Sequence, residues 1–100
     1  MQALDDNQND SAVSSLLFVE QSVDDLTDCI RVCHEDRSRG SYQRILKNFR
    51  SYLVQEYELE IKKAKWSNQF AEASTLEVLM TAQLRKIDYY LSLRSSKDVQ

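Results

Sequence analysis

The chain has 100 residues with one Gly and no Pro, which predicts a single domain and excludes the turn-rich β architectures that depend on both residues. Its net charge of −3 argues against a nucleic-acid-binding protein, because such surfaces are usually strongly basic. No apolar run reaches the length of about 18 residues that a transmembrane helix requires.

The charged residues are distributed unevenly along the chain. Residues 1–40 carry nine acidic and three basic side chains, whereas residues 41–100 carry ten basic and seven acidic ones. An acidic helix packed against a mildly basic pair of helices would account for this division, and so would the surface of a partner.

Residues 1–10 are polar and rich in Asp and Asn, so we expect a disordered acidic tail that buries too little apolar surface to become ordered. Asp10 or Ser11 is a suitable N-cap for a first helix over residues 11–36. Apolar residues recur through this helix in alternating steps of four and three, the heptad seam of a helix that packs lengthwise on another. The seam consists of Ala12, Leu16, Val19, Val23, Leu26, Ile30 and Cys33. It fits either a neighbouring helix of the same bundle or an intermolecular coiled coil.

Residues 37–40 form the clearest break in the pattern. Gly40, the only Gly, can adopt the left-handed conformation that ends a helix, and Ser41 can cap the helix that follows. So short a connection predicts an antiparallel hairpin of two helices.

Residues 41–66 form a central helix, around which we expect the rest of the chain to pack. Its main apolar face recurs at the helical period and consists of Leu46, Phe49, Leu53, Tyr57, Ile61 and Ala64. A second apolar set widens this face and consists of Tyr42, Ile45, Tyr52 and Val54. So broad a face predicts neighbours on more than one side.

The end of the central helix is ambiguous. Ser67 and Asn68 can break the helix, Ser74 and Glu77 have the spacing of a capping box, and a continuous helix through both sites is also compatible with the sequence.

The last predicted element is a helix that ends near Arg94 and precedes a frayed tail over residues 95–100. Its apolar residues at helical spacing are Leu76, Met80, Leu84, Ile87 and Leu91. The predicted fold is all-α, with one helical domain over residues 11–94. It is either an antiparallel three-helix bundle or a helical hairpin with a long third helix.

Cys29, Cys33 and His34 are the one cluster with metal-ligand or redox character. Zinc would need four ligands and this cluster offers three at most, so we predict no metal site and no cofactor. Two Cys on one helix, four residues apart, are too far apart for an internal disulfide. In a chain whose N-terminus lacks a secretory core, they indicate reduced thiols and an intracellular location. They fit either structural thiols or a small redox sensor.

Lys62, Lys63 and Lys65 form a basic cluster at the end of the central helix. Late lysines suit the negative end of the helix dipole, and the alternative is an anion-binding or nucleic-acid-binding patch. The sequence has no Gly-rich phosphate loop, and no nucleophile stands with a base at a recognisable spacing. We therefore predict that the protein is not an enzyme.

Aromatic residues provide the main positive indication of function. Tyr tolerates a position that is half packed and half in water, and interfaces are enriched in it. We predict that four residues remain at the surface and bind a protein partner: Tyr57, Trp66, Tyr89 and Tyr90. If they cluster, they form an exposed apolar patch of the kind that marks a partner site.

Residues 44–53, RILKNFRSYL, resemble the central helix of one subunit type of the GINS complex of the eukaryotic replicative helicase. The residues that carry the resemblance are Arg44, Ile45, Phe49, Ser51, Tyr52 and Leu53. Ser74 and Glu77 stand where that family begins a further helix with a Ser-x-x-Glu cap. The resemblance implies a helical assembly subunit without catalysis of its own.

The sequence thus predicts a non-catalytic helical module for protein–protein interaction or assembly, acting with a protein partner or by self-association. The two alternatives are the thiol sensor that uses Cys29 and Cys33, and the anion-binding helix that uses Lys62, Lys63 and Lys65.

Overall fold

A computed structural model describes residues 2–93, with side chains described for residues 15–35 and 37–93. The chain folds into three helices: α1 (Gln2–Val32), α2 (Asp36–Trp66) and α3 (Phe70–Leu91). No strand occurs within residues 2–93. The predicted all-α class is confirmed, and the helix contacts are those of a three-helix bundle.

The helices run antiparallel along the chain, so that α1 and α3 both lie against α2. The Ser15 hydroxyl of α1 donates to Glu56 Oε1 of α2 at 2.7 Å. At the other end of α2, Gln43 Nε2 donates to the backbone carbonyls of Tyr90 at 2.8 Å and Leu93 at 2.9 Å. Carbonyls at a helix C-terminus lack partners within their own helix, so Gln43 fixes the end of α3 against the start of α2.

The buried core lies along the apolar face predicted for the central helix. Its fully or nearly fully buried members are Val19, Val23, Ile30, Leu46, Leu53, Tyr57, Ile61, Ala64, Ala73 and Ile87. Half of these residues belong to α2, because this helix has a neighbour on each of two sides. Burial of each large apolar side chain contributes about 1.5–3 kcal/mol before the cost of ordering the chain.

The heptad seam of α1, from Leu16 to Ile30, packs inside the same chain. Val19, Val23 and Ile30 are buried, while Leu16 and Leu26 are partly buried against them. Thr27 lies beside the seam, and its hydroxyl donates to the Val23 carbonyl at 2.8 Å, which satisfies this buried hydroxyl. The apolar seam of α1 therefore contacts the other helices of its own chain, and these contacts occupy the surface that an intermolecular coiled coil would need.

The first turn lies earlier than the sequence predicted. Helix α1 ends at Val32, and α2 already begins at Asp36, with Glu35 in an extended conformation before it. Gly40 lies inside α2 and has no positive φ, and the Ser41 hydroxyl donates to the Arg37 carbonyl at 3.3 Å instead of capping a helix. The predictions of a left-handed Gly40 and of a Ser41 cap are therefore wrong. A single Gly inside a helix costs only about 0.5–1 kcal/mol. The additional hydrogen bonds and packing contacts of the first turn of α2 outweigh this cost.

Replacing Gly40 by Ala is expected to raise the free energy of unfolding by about 0.5–1 kcal/mol, because Ala loses less conformational entropy in a helix. A Cβ at this position meets no atom within 4 Å, so no steric cost opposes the gain. Urea unfolding followed by circular dichroism measures the change. A loss of about 1 kcal/mol would instead indicate the left-handed conformation that the sequence suggested.

The second turn covers residues 67–69 and resolves the ambiguity at the end of the central helix. Asn68 has a φ of 61°. The amide of Gln69 donates to the Ala64 carbonyl at 2.8 Å, and the amide of Asn68 donates to the Lys65 carbonyl at 3.1 Å. These two bonds form the Schellman arrangement that ends a helix, and Asn tolerates its left-handed position better than most residues.

The other predicted boundaries differ more modestly. Ser74 and Glu77 lie inside α3 and do not begin a helix, and α3 ends at Leu91, before the predicted Arg94. Helix α1 begins at Gln2 and so includes most of the predicted tail over residues 1–10. The tail predicted over residues 95–100 lies outside the described residues.

Candidate functional site

The four aromatic residues predicted to bind a partner differ widely in exposure. Trp66 is 83% exposed and Tyr89 is 61% exposed, whereas Tyr57 is only 2% exposed. Tyr90 is partly buried against the core, and its ring lies edge-on to that of Tyr89, with the ring centres 5.2 Å apart. The prediction that Tyr57 remains at the surface is wrong, because this residue faces the centre of the bundle, where α1 and α3 meet α2.

The exposed aromatic residues also lie far apart. Trp66 ends α2, whereas Tyr89 and Tyr90 lie near the end of α3, which the Gln43 side chain holds at the opposite end of α2. At 1.5 Å per residue, the part of α2 between Gln43 and Trp66 is about 35 Å long. These residues therefore do not form one patch.

A different set of apolar residues lies together on the outer face of α2. Ile45, Tyr52, Leu59 and Trp66 recur every seven residues and are all exposed, and we call this set the outer stripe. A spacing of seven keeps side chains on nearly the same face of a helix. The prediction that Ile45 and Tyr52 widen the core face is therefore wrong. The i, i+7 repeat that also includes Leu59 and Trp66 is the signal in the sequence that distinguishes them.

The outer stripe continues onto α1 through aromatic rings that contact one another at steep angles. The Phe49 ring lies 5.3 Å from that of Tyr52 and 6.5 Å from that of Phe18, measured between ring centres. Phe18 belongs to α1 and is itself largely exposed. The apolar surface therefore spans two helices, on the side of α2 that α3 does not cover.

A groove of about 310 Å³ lies between α1 and α3, with α2 as its floor. Its apolar walls are formed by Leu16, Leu17, Tyr57, Ala64, Leu76 and Leu79. The carboxylates of Glu20, Glu60 and Glu72 line it together with Lys63. Burial raises the pKa of the Tyr57 hydroxyl above its ordinary value, and the nearby Glu20 carboxylate acts in the same direction.

The raised pKa of Tyr57 makes stability depend on pH in the alkaline range. Between the ordinary Tyr pKa of about 10 and the higher pKa in the folded state, the folded chain holds a proton that the unfolded chain has lost. The free energy of unfolding is therefore expected to fall as the pH rises above about 10, and its Tyr57 component is fully present below that value.

The Tyr57→Phe variant is expected to lose this component while keeping the ring in the core. Urea unfolding at a series of pH values measures it in both proteins, and contributions that the two proteins share cancel in the comparison. Parallel curves for the two proteins would contradict the assignment to Tyr57.

Both cysteines are free thiols, and each is partly buried. Cys29 lies in α1, but Cys33 lies just beyond the end of this helix, where its thiol donates to the Glu35 carbonyl at 3.4 Å. The prediction that both residues lie on one helix is therefore wrong, because α1 ends at Val32. Within the described residues, no group of three or more His, Cys, Asp or Glu side chains could hold a metal ion.

The predicted basic cluster is partly neutralised by carboxylates. Lys63 pairs with Glu60 at 3.3 Å, and Lys65 lies 3.9 Å from Glu77 of α3. Among the described residues, Lys62 has no ion-pair partner. The arrangement offers an anion one unpaired ammonium group instead of three, which weakens the anion-binding alternative.

No helix within the described part of the chain combines the length and the apolar character needed to cross a membrane. Comparison with protein-family models, curated proteins and solved structures finds no match to this chain.

Proposed function

We propose that this protein is a non-catalytic helical module that acts by binding another protein chain. The observation that carries the proposal is the outer stripe, Ile45, Tyr52, Leu59 and Trp66, together with Phe18. Large apolar side chains that are exposed repeatedly along one helix face are typical of an interaction site. Its helical spacing fits contact with another helix.

The ion pairs between the helices of the bundle have a structural role. Arg50 forms two bonds with the Asp88 carboxylate at 2.9 and 3.4 Å, and Lys86 pairs with Asp24 at 2.6 Å. These pairs lie on partly exposed surface between neighbouring helices, where they orient helices and contribute little free energy. These two ion pairs therefore need no catalytic role to account for them.

The resemblance of residues 44–53 to a GINS subunit makes a subunit of a larger intracellular complex the specific form of this proposal. In that segment Leu53 is buried, whereas Ile45 and Tyr52 belong to the outer stripe. The shared motif thus contributes both to the core and to the surface that we propose for binding.

Site-specific photo-crosslinking tests the proposal. A photoreactive phenylalanine analogue placed at position 59 or 66, in the protein expressed in its native cells, is expected to capture a protein of defined mass. Mass spectrometry then identifies the captured chain, which is either a different protein or a second copy.

The matched control places the same analogue at Val78, an exposed apolar residue of α3 outside the outer stripe. Folding of each variant is checked by circular dichroism. Equal capture from position 78, or no capture from positions 59 and 66 in folded protein, would overturn the proposal.

A further inference from the structure

The outer stripe exposes enough apolar surface for a stable interface. Ile45, Tyr52, Leu59 and Trp66 are between 38% and 83% exposed, and Phe18 is 59% exposed. Large apolar side chains present about 150–250 Å² each when fully exposed, so the five together expose about 400–700 Å². A standard interface buries about 800 Å² on each partner, of which about 65% is apolar when two identical chains pair. The outer stripe and Phe18 together therefore supply the apolar part of such an interface.

Two copies of the outer stripe that run antiparallel would place aliphatic side chains opposite aromatic ones. From its N-terminal end the stripe reads aliphatic, aromatic, aliphatic, aromatic: Ile45, Tyr52, Leu59 and Trp66. When two copies of α2 run antiparallel, Ile45 of one copy faces Trp66 of the other, and Tyr52 faces Leu59. Each layer then joins one aliphatic and one aromatic side chain, and the twofold axis passes between Gln55 and Glu56. An interface that is complementary to itself in this way closes as a dimer.

The charges near the proposed twofold axis do not prevent this arrangement. The two Glu56 side chains lie near the axis, but each already accepts a bond from Ser15 of its own chain at 2.7 Å.

We propose that the outer stripe is the interface of an antiparallel homodimer, in which the α2 helices of two copies pair about a twofold axis between Gln55 and Glu56. This inference rests on the proposed function and names the partner chain as a second copy. Two three-helix bundles would then join through the one face of α2 that α1 and α3 leave open.

The first test measures the mass of the purified chain by light scattering over a range of concentrations. The Leu59→Glu variant is expected to weaken dimerisation by at least about 30-fold, because a carboxylate replaces an apolar contact in two layers at once. The matched control is Val78→Glu, which adds the same charge on α3 and is expected to leave the dimer unchanged. A monomer at all concentrations, or equal weakening by both variants, would overturn the inference.

The second test determines the direction of pairing. In a background with Cys29→Ser and Cys33→Ser, Gln55→Cys lies near the twofold axis and is expected to form a disulfide between copies under mild oxidation. Asn48→Cys lies opposite Lys63 in the antiparallel arrangement, so the same treatment is expected to leave it monomeric. Equal cross-linking at both positions would indicate a parallel pair and overturn the proposed register.

The two proposals can fail separately. If light scattering finds a monomer while position 59 captures a different protein, the homodimer is wrong and the interaction module stands. If position 59 captures nothing and the chain is monomeric, both are wrong.

Discussion

Replacing Leu53 by Ala is expected to lower the free energy of unfolding by about 2–5 kcal/mol. Leu53 is completely buried in the middle of α2, so the change removes apolar contacts and leaves a cavity that the neighbouring helices fill only in part. Domains of this size are stable by about 5–15 kcal/mol, so the loss is a large fraction of the total. Urea unfolding followed by circular dichroism measures it.

Leu59→Ala is the matched control, because it makes the same chemical change six residues later in the same helix. Leu59 is exposed, and substitutions at such positions usually change stability by less than about 0.5 kcal/mol in a monomer. The comparison is made with monomeric protein, at concentrations where light scattering finds no dimer. Similar losses for the two variants would mean that the outer stripe is part of the core.

The core could be predicted from the sequence because burial in a helical bundle follows a local repeat. The residues of the α2 face recur every three or four positions, and the seam of α1 follows a regular heptad. Each pattern depends only on the geometry of one helix, so it does not require knowledge of the neighbouring helices. Phe49 marks the limit of this reasoning, since it belongs to the predicted face but is only partly buried.

The helix boundaries were less predictable because a helix end reflects a small balance of free energies. Gly40 could have ended a helix, but the cost of one Gly is less than the gain from continuing the hydrogen bonds and packing of α2. Helix α2 ends before Asn68 because Asn adopts the left-handed conformation at little cost in free energy. The sequence contained both signals, and only the packing of the whole bundle distinguishes them.

The candidate site was the least predictable feature, because exposure depends on which sides of α2 are covered by other helices. Tyr52 and Tyr57 are both aromatic residues of the same helix, yet one lies on the outer stripe and the other in the core. They are five residues apart, which places them more than a quarter turn from each other around the helix. The aromatic character of a residue therefore does not predict whether the bundle leaves it exposed.

Tyr57→Ala is expected to lower the free energy of unfolding by about 3–5 kcal/mol, as the loss of a large buried aromatic side chain usually does. Tyr57 is the largest fully buried side chain of the core, and it lies where the walls of the groove meet. Trp66→Ala removes a still larger side chain but is expected to change the stability of the monomer by only about 0.5 kcal/mol, because Trp66 is 83% exposed. Thermal and urea unfolding of both variants measure the difference.

The same pair separates an effect on binding from an effect on folding. Weaker association in Tyr57→Ala carries no information about an interface if the variant is partly unfolded, so Tyr57→Phe, which keeps the ring, is the proper comparison. Trp66→Ala is expected to weaken association while its unfolding curve stays unchanged, because its indole contributes to the proposed interface and little to the core. The reverse result, in which Trp66→Ala unfolds and Tyr57→Ala only loses binding, would mean that Tyr57 contacts the partner after all and that α2 is turned the other way in the bundle.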